Sequence, residues 1–417
     1  MFKPQSIAVI VTLASVVALG PLSTDMYLPT LPGLTQVFNT SVDEVQITLS
    51  VFLLGFAVAQ LVYGPLADRF GRKPVLLAGL ALFTTASLGC ATATTIEDLI
   101  LFRFLQALGA CCGPVLGRTM VRDIHGPVHS AKVLSMMGTI MALAPAIAPI
   151  LGGYLVVWFD WTSIFIFLTS YGLICIVLIL FKVPESLEAE NRSSLKISMI
   201  ARNYATLLRH KTYLGYTLTC SFIYAGLFAF LSGSSFVLID YFKVKEQNYG
   251  LFFTIVVLGY MAGTQIAQRV GSRIGINTML FRGAILGTVS GTLMLIPSLF
   301  DLHNLWFLIS MQTLFMMAVG IIMPQAMAGA LAPFPRIAGT ASSLLGFTQS
   351  LIAASAGLLV GHYHSGTPTT MALSIAAMGA LSLLSFVLLV KPAPQQPQAP
   401  STTDSTNNTA NNTTKAK

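Results

Sequence analysis

The sequence predicts an all-α integral membrane protein: twelve transmembrane helices in two pseudo-symmetric six-helix bundles. Three observations carry this. Of 417 residues, 54% are hydrophobic and only 9% are charged, against about 25% charged in an ordinary soluble domain. Twelve stretches of mostly apolar residues recur along the chain, each near the roughly 20 residues a helix needs to cross a bilayer. The longest polar connection separates the sixth stretch from the seventh. So few charged side chains cannot coat a water-soluble fold of this size. A soluble enzyme, a coiled coil and a disordered scaffold are thereby excluded.

In the first half the expected spans are 7–28, 45–66, 74–93, 98–121, 132–157 and 162–181. In the second half they are 212–238, 248–268, 277–298, 304–331, 337–361 and 369–390. The runs are continuous rather than alternating, which excludes barrel strands. The first is too long for a signal peptide and has no basic segment beyond Lys3. The organisation expected is an N-terminal bundle (1–181), a cytoplasmic linker (182–211), a C-terminal bundle (212–390) and a disordered cytoplasmic tail (391–417) rich in Pro, Gln, Thr and Asn.

Charge sorting orients the chain. With an even number of spans both termini share one side. The segments on that side hold 19 Lys/Arg against six acids, and those on the other hold two Lys against eight acids. Basic residues mark the cytoplasmic side, so both termini are expected in the cytoplasm of a bacterial cell, with the chain multi-pass in the inner membrane. The net charge of +8 is explained by this asymmetry, and no nucleic-acid partner is needed. The five cysteines fall within spans and read as packing residues. His362 and His364, two apart near the outer end of span eleven, read as interfacial. No metal set, catalytic triad or phosphate loop is found, and no cofactor or enzyme activity is expected.

Between spans two and three runs Gly64-Pro65-Leu66-Ala67-Asp68-Arg69-Phe70-Gly71-Arg72-Lys73. So tight a reversal suits glycine at positive φ or close approach. Gly275, in Val270-Gly271-Ser272-Arg273-Ile274-Gly275, follows Gly71 by 204 residues, with Arg273 matching Arg69 and Ser272 standing in the place of Asp68. This is a faded internal repeat, as two related halves would leave.

Three charges sit within spans: Asp25, Arg103 and Arg118. Asp25 lies about 5 Å from the outer end of the expected span one, and Arg103 about 7 Å into span four, by helix rise. A buried acid is costly and usually functional, so Asp25 is expected to take up and release a proton. Asp25 and Arg103 share a depth, which suggests a charge pair or common cavity. Arg118 lies nearer the inner interface and suits either snorkelling or a cavity. In span five, Pro145, Pro149 and Gly153 recur every four residues beside Gly152, giving one small, kinked face for close helix approach.

The loop meets every position of Gly-x-x-x-Asp-Arg-x-Gly-Arg-Arg/Lys and so resembles the signature loop of the major facilitator superfamily. The span-five run resembles that superfamily's Gly-Pro-x-x-Gly-Gly antiporter motif, with Ala148 in place of the glycine before Pro149. Arg103-Phe-Leu-Gln106 resembles its span-four signature, whose Arg is tied to proton coupling in related antiporters. With Thr24-Asp25-Met26-Tyr27-Leu28-Pro29 and Arg122-Asp123, the chain is similar to the Bcr/CflA drug-resistance branch over about residues 7–390. The resemblance implies that Gly64, Asp68, Arg69, Gly71, Arg72, Lys73 and Asp123 form a cytoplasmic gating loop. Asp68 would meet the start of span eleven when the protein faces outward, and Arg72 would pair with Asp123.

Aromatic, Met and Gln side chains suit a broad-specificity pocket. Tyr27, Arg118, Tyr224, Phe228, Met316, Gln325 and Gln349 are the candidate lining. The function expected is a monomeric, proton-coupled multidrug efflux transporter for amphipathic small molecules, working by alternating access. A metabolite, siderophore or amino-acid exporter of the same fold, or a proton-coupled uptake symporter, is the alternative.

Overall fold

A computed structural model describes residues 7–188, 190, 197–300 and 302–390. The tail 391–417 and linker residues 191–196 lie outside the described residues. Among the described residues the secondary structure is helical throughout, with no strand.

Helix ends follow the charge sorting. At the acidic face, Ser41 caps span two by accepting from the Glu44 amide, with Asp43 and Glu44 in the first turn. Thr95 caps span four in the same way, with Glu97 and Asp98 behind it. Acids there satisfy the positive end of the helix dipole and its unpaired amides. At the basic face, Arg69 and Arg273 occupy the last turns of spans two and eight.

Eleven helices among the described residues are long and apolar enough to cross a membrane: Ile7–Val37, Val42–Phe70, Arg72–Ala91, Ile96–Ile124, Thr162–Lys182, Lys211–Tyr241, Glu246–Gly271, Ile276–Ser298, Leu305–Leu331, Pro335–His362 and Thr369–Leu389. The expected fifth span is represented by the shorter apolar helix Ala144–Trp158. It belongs to a helical run from Arg118 to Trp158. Gly117 sits against Val17 and Leu13 of span one, and Gly152 against Met26. A straight helix from 117 to 152 would be roughly 52 Å long, whereas 13 to 26 is only about 20 Å. The run therefore doubles back, and the chain returns across the bilayer as span five.

Span one departs from expectation. The apolar run predicts an end near residue 28. Pro29 and Pro32 occupy the first turns of two successive helical segments, Leu28–Thr30 and Leu31–Val37, where their missing N–H groups cost nothing. The span runs on to Val37, so Asp25 lies roughly 18 Å from its outer end rather than about 5 Å. The linker also differs from the plain polar connection expected, for Ile197–Leu208 forms a helix within it.

The helix neighbours repeat between the halves. Span two packs on span four, three on four and three on six. Span eight likewise packs on ten, nine on ten and nine on twelve. Between the halves, two packs on eleven and five on eight, which is one relation seen from both halves. Gly71 and Gly275 repeat as well: φ is 101° and 82°, and each ends one helix and begins the next. Side chains are strained in that region at a cost of about 1–3 kcal/mol. Gly71→Ala is therefore expected to lower the melting midpoint of the detergent-purified protein. Gly64→Ala, whose Cβ would meet nothing within 4 Å, is expected to leave it nearly unchanged.

Candidate functional site

The loop after span two is held as a charge relay. Arg72 binds Asp68 through Nη1 at 2.5 Å and Asp123 through Nε at 3.3 Å. The backbone amides of Arg72 and Lys73 donate to the Glu185 carboxylate at 3.0 and 3.2 Å, so Glu185 caps span three from the end of span six. Lys73 Nζ donates to the carbonyls of Leu180 and Val183 at 2.9 and 2.7 Å, closing the C-terminal end of span six. Arg69 lies over the Phe70 ring at 5.1 Å. Asp68 is half-exposed, and its ion pair stays within its own half rather than reaching span eleven.

Asp25 and Arg103 are both buried, but they form no ion pair among the described residues. Arg103 lies between the rings of Tyr27 and Phe52, at 4.6 and 4.3 Å from their centroids. Its Nη1 donates to the Ser23 carbonyl at 3.0 Å and to Gln106 Oε1 at 2.6 Å. Gln106 in turn donates to Ser87 Oγ at 2.8 Å. Asp25 accepts from Thr24 Oγ1 at 2.9 Å and lies within electrostatic reach of Tyr224 and Tyr249 of the second half. The separation follows from helix geometry. Ser23 and Tyr27 are four residues apart and share the face toward span four. Asp25, two residues from each, points the other way.

The polar contacts that cross between the halves include Ser235 Oγ to the Leu28 carbonyl at 2.6 Å, Ser232 Oγ to Gln46 Oε1 at 3.0 Å and Thr254 Oγ1 to the Ala146 carbonyl at 3.1 Å. His362 approaches Asp43 at 3.6 Å. These lie toward the acidic face. A cavity of about 260 Å³ opens on the basic side of them, between span four (Arg118), span eight (Tyr260, Thr264, Ala267, Gln268) and span ten (Met323, Pro324, Gln325, Met327). A π-helical segment at Gly113–Gly117 precedes Arg118, and such segments often re-aim a functional side chain. Gln325 Nε2 donates to the Ala267 carbonyl at 3.3 Å. Tyr224 is within electrostatic reach of both Asp25 and Tyr260, and Tyr260 of Arg118. Tyr224 and Tyr260 thus lie within electrostatic reach between the buried carboxylate and the cavity wall.

Of the seven expected lining residues, the structure places Arg118 and Gln325 in this cavity. Tyr27 bonds Thr48 Oγ1 at 2.9 Å within the first half. Tyr224 packs on Phe228 at 5.4 Å, Phe228 and Met316 are buried, and Gln349 is part-exposed. Tyr260, Thr264 and Gln268 were not anticipated. Their i, i+4, i+8 spacing is the signal that could have found them. Glu185 carried no such signal, because its contact spans 113 residues of sequence. In span five, a Cβ on Gly152 would collide with the Met26 carbonyl, and one on Gly153 with the Glu246 carbonyl. The small face thus lies between span one and span eight, with Pro149 buried and Pro145 part-buried beside it.

The family profile described as Major Facilitator Superfamily matches residues 13–356. A bicyclomycin resistance protein homolog of Haemophilus influenzae is 33% identical over 373 residues, 89% of this chain and 94% of that protein. Multidrug resistance protein D of Escherichia coli is 27% identical over 351 residues, 84% of this chain and 88% of its own. Among solved structures, a D-xylose-proton symporter superposes with a TM-score of 0.73 at 16% identity, covering 92% of this chain and 98% of that one. That likeness concerns the fold alone.

Proposed function

The chain belongs to the major facilitator superfamily, within the branch of its bicyclomycin-resistance relatives, and from that premise we propose that it exports amphipathic small molecules in exchange for protons. It is a multi-pass membrane transporter of small molecules rather than an enzyme. The observation that carries the export reading is Asp25. It is a carboxylate buried in a transmembrane helix, with no cation paired to it among the described residues, within electrostatic reach of Tyr224 in the second half. A charge in that position is expensive, so gaining or losing a proton changes the relative stability of the two access states. The relatives' resistance names support drug-like cargo.

In the cycle proposed, cargo enters the cavity from the basic, cytoplasmic side while the acidic end is closed by the Ser235, Ser232 and Thr254 contacts. Rocking of the halves opens the acidic side. Cargo leaves, and Asp25 takes a proton there and releases it inside on return. The Asp68–Arg72–Asp123 relay, held by Glu185, biases this equilibrium from the cytoplasmic face. The proton gradient supplies the energy, no cofactor is needed, and one chain suffices. Both termini lie in the cytoplasm of a bacterial inner membrane.

Susceptibility profiling of an efflux-deficient bacterial host expressing the full chain tests the reading. Tolerance to at least one amphipathic antibiotic is expected to rise. Unchanged or lowered tolerance across the panel, with the protein present in the membrane, overturns it, and lowered tolerance points to uptake.

A further inference from the structure

The linker helix Ile197–Leu208 carries two kinds of surface. Leu207 is buried, and Ile200, Asn203 and Tyr204 are part-buried. Steps of three and four residues put them on one face, and the helix packs on spans seven and eleven. Beside that face, Ala201, Ala205 and Leu208 form an apolar flank that the protein leaves open, with Leu208 52% exposed. Arg202 and Arg209 border the flank. The Arg209 amide donates to the Ala205 carbonyl at 3.2 Å, which carries the last turn through it. The two arginines are seven residues apart, so they stand on one edge about 10 Å from each other.

Both arginines are exposed, and neither is in a salt bridge among the described residues. From 191 to 211 the sequence holds Arg192, Lys196, Arg202, Arg209 and Lys211 and no Asp or Glu. The elements under the helix bring no acid to this face either. Span eleven contains none, and the first in span seven is Asp240, at its far end. Glu188 and Glu190 lie upstream of the basic run, and Glu185 is committed to the amides of span three.

We propose that this flank lies on the bilayer surface and binds anionic phospholipid of the inner leaflet. Arg202 and Arg209 meet headgroup phosphates, and Ala201, Ala205 and Leu208 rest against the tops of the acyl chains. An apolar strip edged by arginine is the composition of a helix that lies in the interface plane. A guanidinium fork matches two phosphate oxygens. Free phosphate offers the same oxygens but leaves the apolar strip in water, whereas a lipid covers both. The helix also sits at the basic face, which charge sorting assigns to the cytoplasm. There an anionic leaflet favours each nearby basic residue by about fivefold. The proposal does not rest on the export reading.

A nitrobenzoxadiazole fluorophore on Ala201→Cys reports the flank. The five native cysteines are all buried, so the unsubstituted chain serves as the blank. The full chain is placed in phosphatidylcholine nanodiscs with rising amounts of phosphatidylglycerol or phosphatidylcholine that carries a spin-label quencher high on the acyl chain. Half-quenching by the glycerol lipid is expected at a mole fraction on the order of tenfold lower, the scale of two basic contacts. In Arg202→Gln/Arg209→Gln the two curves are expected to coincide, with an unchanged melting midpoint in phosphatidylcholine. Arg202→Lys/Arg209→Lys keeps the charge and is expected to keep most of the preference. Arg269→Gln/Arg282→Gln removes two exposed arginines from the same end of spans eight and nine and is expected to leave the preference intact. Quenching by neither lipid would place the helix in water and overturn the proposal. So would coincident curves in the unmodified helix, or a preference lost equally in the Arg269/Arg282 pair, which would mean diffuse surface charge. Loss of the preference when phosphate replaces chloride at equal ionic strength would assign the arginines to the free ion instead. Both faces of a nanodisc are open, so the result is independent of the chain's orientation in a cell and of what it transports.

Discussion

Asp25→Asn is expected to abolish proton-driven transport while leaving the protein folded and its cavity able to bind. Asn has nearly the same volume and keeps an oxygen for the Thr24 hydroxyl, which lies 2.9 Å from the carboxylate. No ion pair among the described residues is lost, because Arg103 is held elsewhere by the Ser23 carbonyl, Gln106 and two aromatic rings. What disappears is the ability to change charge at the seam between the halves. In inverted membrane vesicles carrying the full chain, cargo-dependent dissipation of an imposed pH gradient is expected to fall to the level of empty vesicles. Exchange of labelled for unlabelled cargo needs only rocking of the halves, and it is expected to continue. Proton movement equal to the wild type in the Asn variant would remove Asp25 from the mechanism. Loss of both proton movement and exchange would make it a packing residue instead.

How far this arrangement could be read from residues alone depended on the range of the interaction. Asp25 was legible because an acid in an apolar run violates the pattern around it, and Gly71 because a tight reversal demands a φ that side chains resist. Arg103 drew attention for the same reason as Asp25, and similar depth then suggested that the two meet. Depth is only one coordinate of a helix. The azimuth separates them, since residues two apart lie on nearly opposite faces. The end of span one lies beyond the apolar run that marked it, because Pro29 and Pro32 sit in the first turns of successive helical segments, where proline is compatible with continuation. The cavity wall was the least legible part. Tyr224 and Phe228 stood out as aromatics, yet they pack on each other, while the quieter polar stripe of Tyr260, Thr264 and Gln268 lines the space. Which face of span eight looks inward is decided by packing against spans five and ten, and one helix's own sequence does not contain that choice. Glu185 shows the same limit, being a loop acid whose partners lie on another span.

The second large effect expected is at Gly152, where the span-five motif meets the carboxylate. A Cβ there would collide with the carbonyl of Met26, the residue next to Asp25. On the adjoining side, Gly153 faces the Glu246 carbonyl, and Thr254 donates to Ala146 at 3.1 Å. Span five is thus a wedge between span one of its own half and span eight of the other. Gly152→Val cannot be relieved by turning a side chain, because the obstacle is backbone. Overpacking costs about 1–3 kcal/mol even where side chains can shift, so the Val variant is expected to show a clearly lower melting midpoint. It should also lose most proton-driven transport in vesicles, since Met26 and Asp25 must move with the displaced helix. Gly152→Ala is expected to fall between Val and the wild type. Gly33→Ala, within span one but with open space around its Cβ, serves as the control and is expected to behave as wild type. A Gly152→Val protein with unchanged midpoint and transport would show that span five does not press on span one there. A protein that melts normally but no longer couples protons to cargo would place the motif in the motion itself: its small residues would then matter for letting span five slide past Met26 as the halves rock.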